Sequence, residues 1–281
     1  VACATQCTTP RPRRHYNQSL GAFNVWEVEL PSQSLTEALC IFERCSLRHS
    51  FESLRSSAHR HQRIQSSDPG CPERFFAVRA GGYASEDRGR AATDEQPDPT
   101  LHQDSSAWAS DVTWISVDDE ATHAQFVSIF ESCSLQKTFG PICGIDEKLR
   151  MYSASYVVRS QCAAPNYHFD YVDGVHARAF TLMAPLKQFK RSEDADQLGH
   201  FQLIYKSDSP PDAAVESEAQ CRRERRYDYN HGKAVVFSDG FYHSTQPGKA
   251  AEDGGAPHAY LCFTFGTDRQ ESWPLIAQTI D

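Results

Sequence analysis

Tyr152-Ser153-Ala154-Ser155-Tyr156-Val157-Val158-Arg159 is the stretch that sets the fold class. Tyr152, Ala154, Tyr156 and Val158 alternate with Ser153, Ser155, Val157 and Arg159. That period of two belongs to a strand with one face in a core. Similar strand signals recur at Ala177–Ala184, Phe201–Tyr205, Ala234–Phe237 and Ala259–Phe265, with a charged loop over Ser207–Arg226. Short strands joined by turns, with helices ahead of them, predict a mainly β protein: a jelly-roll or related, cupin-like barrel behind an N-terminal helical layer.

Upstream of that stretch the chain reads differently. Residues 1–30 are polar and contain Pro and Arg, and form a predicted arm. Residues 31–150 read as a mixed helix and strand region that buttresses the barrel, and residues 151–281 as the barrel itself. A helix is expected near Leu35–Leu47, where Ser34 and Glu37 stand at capping-box spacing and Leu35, Ala38, Leu39 and Phe42 share a face. Short strands are expected at Phe75–Val78 and Val112–Val117. Asp118 or Asp119 then caps a helix carrying Phe126, Val127 and Phe130. Residues 85–110 hold hardly any core-forming side chains and read as a long mobile loop.

Composition excludes several function classes. The chain has 281 residues, 40 % hydrophobic and 23 % charged, which suits an ordinary globular protein with a sizeable core. Its longest apolar runs, such as Ala179–Leu186, are too short to cross a bilayer. A net charge of −9, spread over both halves, argues against nucleic acid as a partner. The ten cysteines lack the paired spacing of a structural zinc site, and their even number suits disulfides. With the start at Val1 and no initiator Met, they lean towards a secretory or organellar compartment and a processed chain.

The chemistry-bearing segment is Asn166-Tyr167-His168-Phe169-Asp170-Tyr171. Residues two apart on an extended chain point the same way, so His168 and Asp170 can offer an imidazole nitrogen and a carboxylate oxygen to one metal. A second imidazole comes from His243, which follows the strand and turn Ala234-Val235-Val236-Phe237-Ser238-Asp239-Gly240-Phe241-Tyr242. Two His and one carboxylate leave half of an octahedron open, the arrangement of non-haem Fe(II) oxygenases. In isolation His168-Phe169-Asp170 also reads as a solvated surface strand; the distal segment favours the metal.

With these residues the chain resembles the Fe(II)/2-oxoglutarate-dependent oxygenase superfamily, whose H-x-D and distal His sit in a double-stranded β-helix. Gly232–His243, Leu261–Phe265 and Trp273-Pro274 also look like the distal half of aspartyl/asparaginyl β-hydroxylases, although that family carries Gly where this chain has Asp170. The likeness covers residues 151–275. It implies that His168, Asp170 and His243 hold Fe(II), that 2-oxoglutarate is consumed to succinate and carbon dioxide, and that a substrate C–H bond is oxidised, with hydroxylation as the default. Cyclisation, desaturation and demethylation share the chemistry.

The superfamily's cation for the distal carboxylate of 2-oxoglutarate, which stands shortly after the distal His, is replaced here by Glu252, Asp253 and Gly254. Arg178 is the first alternative, His258 the second and Arg269 the third, with Tyr156 offering a hydroxyl. Another 2-oxo acid, or ascorbate, is the further cofactor to consider. The expected substrate is an amino-acid-derived small molecule or a peptidyl side chain. The rival reading is a non-catalytic jelly roll that binds a sugar, a peptide or a structural metal. No glycine-rich phosphate loop or nucleophile elbow is present.

Overall fold

The computed structural model describes residues 16–17, 20, 22–44, 62–65, 75–80, 112–117, 120–159, 161–189, 201–207, 223–249 and 258–280. The expected loop at 85–110, the caps Asp118 and Asp119, and residues 208–222 lie outside them. Within them the chain is mainly β, with antiparallel sheets and few helices.

The elements that position the site are β1 (Val25–Glu29), α1 (Ser32–Arg44), β2 (Gln62–Gln65), β3 (Phe75–Ala80), β4 (Val112–Val117), α2 (Glu120–Ser132), β5 (Leu149–Arg159), β6 (Ala179–Pro185), β7 (Leu203–Ser207), β8 (Arg223–Tyr227), β9 (Lys233–Phe237), β10 (His243–Thr245), β11 (His258–Thr267) and α3 (Trp273–Ile280). An eight-stranded sheet runs β1-β9-β6-β11-β5-β4-β3-β2, and a three-stranded sheet runs β8-β7-β10. The two face each other: Val25, Val235 and Phe237 of the large sheet pack against Leu203, Tyr205 and Tyr227 of the small one.

The other face of the large sheet takes the helices. Leu35, Ala38 and Ile41 of α1 and Phe126, Ile129 and Phe130 of α2 cover Ala154, Tyr156 and Val158 of β5 and Leu261, Phe263 and Phe265 of β11. Edge-to-face contacts fix the packing, with ring centroids 4.9 Å apart for Phe139 and Phe180 and 5.6 Å for Phe130 and Phe263. Each fully buried ring of this kind contributes roughly 1.5–3 kcal/mol.

Three sequence expectations change. Val25–Glu29 belongs to the large sheet rather than to an arm: it pairs with β9, and Trp26, Val28 and Leu30 enter the helix-side core. Arg223–Tyr227, which overlaps the expected loop Ser207–Arg226, is a strand paired with β7; Glu224, Arg225 and Arg226 are exposed and Tyr227 is buried, so charged residues occupy this edge without apolar alternation. Ser34 does not cap α1, which begins two residues earlier. Its buried hydroxyl bonds instead to that of Ser132 on α2, at 2.7 Å.

Candidate metal centre

Strand pairing assembles the site. His168 and His243 form an isolated antiparallel bridge, each backbone N–H donating to the other's carbonyl, at 2.9 and 3.1 Å. Directly opposed residues of an antiparallel pair project on the same side, and the two imidazole centroids lie 4.6 Å apart. Asp170, two residues on, falls on that side too. Its Oδ1 stands 3.3 Å from Nε2 of His168 and 3.7 Å from Nε2 of His243. One ligand atom from each residue fits within a 4.8 Å span.

Backbone carbonyls settle which ring nitrogen faces the centre. Nδ1 of His168 lies 2.8 Å from the Asn166 carbonyl and Nδ1 of His243 lies 3.0 Å from that of Phe241. A carbonyl only accepts, so each Nδ1 carries the proton and each Nε2 presents a lone pair. Oδ2 of Asp170 accepts from the Thr181 hydroxyl at 2.9 Å, which leaves Oδ1 for the centre. Thr181 in turn meets the Tyr171 hydroxyl at 3.0 Å.

The electrostatics agree. Burial pushes His243 down to about 4, against the pull of Asp170, so its ring is neutral at physiological pH. Burial acts to raise Asp170, but its closeness to His168 and His243 and the hydrogen bond from the Thr181 hydroxyl outweigh it and hold the carboxyl below the usual carboxylate range. Phe237 and Phe241 wall in His243, whose side chain is 6 % exposed. His168 and Asp170 are 37 % and 27 % exposed, so the centre is open to solvent on their side. Two neutral imidazole nitrogens and a carboxylate oxygen suit Fe(II) and leave open coordination positions.

Asp239 braces the turn after Asp170. Its buried carboxylate accepts from the backbone N–H of Gly174 and of His176, and from the amide of Asn24 at 2.9 Å. Asn24 and His176 both hold a positive φ there.

The remaining sequence candidates scatter. Arg178 ends a 3-10 turn before β6 and is exposed. Tyr156 lies on β5. It points into the helix-side core, where its hydroxyl donates to the Ala38 carbonyl at 2.7 Å, on the face of β5 away from the triad. Arg269 pairs with Glu147 on the surface at 3.2 Å, and Asp173 is exposed in the turn. His258 is buried on the inner side of β11, stacked on Phe189 at 3.8 Å. Thr181, missed in the sequence, was signalled there by one hydroxyl in the otherwise apolar run Ala179-Phe180-Thr181-Leu182. Cys40, Cys133, Cys143 and Cys262 carry free thiols, and among the described residues no helix is long and apolar enough to cross a membrane.

No family model matches the chain, and no curated protein matches it. Among solved structures it is similar to a prolyl-4-hydroxylase from Pseudomonas putida, at 13 % identity over 87 % of this chain and 92 % of that one, with a TM-score of 0.41. A prolyl hydroxylase from Trichoplax adhaerens, solved with a hypoxia inducible factor peptide fragment, is 11 % identical over 90 % of this chain and 86 % of its own (TM-score 0.44). The non-haem alpha-ketoglutarate-dependent epimerase SnoN of nogalamycin biosynthesis is 10 % identical, over 87 % and 78 % (TM-score 0.44).

Proposed function

We propose that this chain is a non-haem Fe(II)- and 2-oxoglutarate-dependent oxygenase built on a double-stranded β-helix. The observation that carries the reading is the orientation of the triad: both Nε2 lone pairs and Asp170 Oδ1 converge, while each Nδ1 and Oδ2 is committed to a protein partner. A chance cluster of His and Asp has no reason to show that division of labour. The strand order supports the fold: β9-β6-β11-β5 lie over β8-β7-β10, and the His168 segment continues the small sheet beside β10.

His168, Asp170 and His243 would hold the metal. When bound, iron supplies dioxygen activation: the substrate C–H, O2 and 2-oxoglutarate give C–OH, succinate and carbon dioxide. The protein's part is positioning. The Asn166 and Phe241 carbonyls fix the imidazole tautomers, Thr181 aims the carboxylate, and Phe237 and Phe241 keep water off the inner side. Substrate enters on the side where His168 and Asp170 are exposed. An amino-acid-derived molecule or a peptidyl side chain is the substrate class we favour.

The test is an anaerobic titration of metal-free protein with Fe(II) and then 2-oxoglutarate, beside His168→Ala. A visible charge-transfer band that needs both additions, and is lost in the variant, supports the proposal. Iron that binds equally well to His168→Ala refutes it and leaves the binding-protein reading.

A further inference from the structure

The three ligand candidates are oriented in two different ways. Each imidazole is fixed by a backbone carbonyl two residues before it in the chain. Asp170 is oriented through side chains instead. The Thr181 hydroxyl has a single proton, and Asp170 Oδ2 takes it. Its second contact, with the Tyr171 hydroxyl at 3.0 Å, therefore has Tyr171 as the donor. The order runs from Tyr171 O–H to Thr181 Oγ1 and from Thr181 O–H to Asp170 Oδ2, and each bond in such a chain polarises the next.

Packing sets the place of Tyr171. Its ring is buried in a cluster with Val175, Ala179 and Ile276, separate from the main core. Tyr171 and Val175 belong to the turn after Asp170, Ala179 opens β6, and Ile276 comes from α3, far along the chain. Asp239 grips the backbone of that turn at Gly174 and His176; the cluster grips the Tyr171 ring. The first residue of α3 seats the helix. Trp273 Nε1–H donates to the Thr267 carbonyl at 3.3 Å, the same carbonyl that accepts from the Tyr152 hydroxyl at 2.6 Å. The Arg150 guanidinium stands over the indole, 5.3 Å from its centroid. Pro274 suits the first turn of a helix, where its missing N–H costs nothing. Trp273-Pro274, which in the sequence carried only a family likeness, starts the helix that delivers Ile276.

Resting on the metal-binding reading of the triad, we infer that Tyr171 is a positioning residue for Asp170 and that α3 holds it in place, so that docking of α3 and binding of the metal favour each other. Linkage makes the effect reciprocal: the factor by which docked α3 raises metal affinity is the factor by which bound metal tightens α3.

Competitive Co(II) titration and amide hydrogen exchange on the full chain test this. Tyr171→Phe is expected to weaken Co(II) binding by about 2- to 10-fold and to shift the visible d–d bands of the bound ion, because Asp170 loses its fixed aim. Ile276→Ala is expected to weaken Co(II) binding too, and to add nothing in the Tyr171→Phe background, since both act through one hydroxyl. Ile276→Val serves if the Ala variant does not fold. Phe130→Leu, a core change on the helix side of the sheet, should lower the urea midpoint and leave Co(II) affinity alone. In the parent, Co(II) is expected to slow exchange in Trp273–Ile280 beyond any slowing in Glu120–Ser132, and Tyr171→Phe should abolish that difference. Unchanged Co(II) affinity in Tyr171→Phe overturns the inference. So do additive losses in the double variant, an equal loss in Phe130→Leu, or equal slowing of both helices, each of which would leave Tyr171 and α3 as structural parts only. A parent that binds Co(II) through His168 and His243 and gives those results defeats this inference alone. Co(II) binding that ignores His168 and His243 defeats the oxygenase reading as well.

Discussion

Thr181→Val removes one oxygen and little volume, and it isolates the support behind the carboxylate ligand. The Thr181 hydroxyl donates to Asp170 Oδ2 at 2.9 Å and lies 3.0 Å from the Tyr171 hydroxyl, on a residue only 6 % exposed. A hydrogen bond to a charged group is worth about 1.5–3 kcal/mol, which corresponds to roughly 10- to 100-fold in an equilibrium constant. Outer partners of metal ligands show a similar range, about 10- to 100-fold in affinity. Metal affinity is therefore expected to fall by that factor in Thr181→Val, because Asp170 is then free to turn Oδ1 away from the two Nε2 atoms. Thr181→Ser keeps the hydroxyl and should recover most of the loss. The assay is competitive Co(II) titration against a chromophoric chelator, with circular dichroism to confirm the fold. A Thr181→Val protein that is folded and binds Co(II) within about twofold of the parent refutes the argument.

Three further outcomes follow from the packing and the charges. Gly266→Ala places a Cβ 1.9 Å from the Arg178 carbonyl oxygen; the backbone must move, and roughly 3 kcal/mol or more of stability should be lost, read as a lower urea midpoint, with an unchanged midpoint counting against the close approach. Tyr156→Phe removes the hydroxyl bonded to the Ala38 carbonyl and should cost about 1 kcal/mol of stability without moving 2-oxoglutarate affinity; a change in that affinity would restore Tyr156 to the site. His243 is held at about 4, below its ordinary value near 6.5, so between those pH values the unfolded chain binds the extra proton: metal-free stability is fully present above pH 6.5 and declines as pH falls through about 4, by up to about 3 kcal/mol. Urea midpoints across that range, parent against His243→Asn, check it, and identical pH slopes would contradict the buried neutral ring.

The strands were legible because their alternation is local. Leu149–Arg159, Ala179–Pro185, Lys233–Phe237 and His258–Thr267 lie within a few residues of where the pattern put them. The H-x-D spacing likewise placed two ligand candidates on one side of an extended segment. The bridge that brings His243 beside them was not local: it depends on pairing across 75 residues of chain, and only the residue types hinted at it. Charged edge strands such as Arg223–Tyr227 were invisible for the opposite reason, since one buried tyrosine is too little core to leave a period.

The larger error concerned faces. Alternation in β5 separates Ala154, Tyr156 and Val158 from Ser153, Ser155, Val157 and Arg159, and the polar set reads as the solvent side. In a structure with helices behind the sheet and a binding interior in front of it, the apolar set belongs to the helices and the polar set lines the interior. A bulge where Ser153 and Met151 oppose consecutive residues Thr264 and Phe265 takes Tyr152 out of that alternation and into a separate cluster with Tyr171 and Ile276. So Tyr156, chosen for its hydroxyl, is core, and Arg159, to which the sequence assigned no role, is buried on the opposite face of the strand. In two-layer β proteins with a helical backing, a strand's polar stripe is therefore the first place to look for ligand-binding groups, and its aromatic stripe the last.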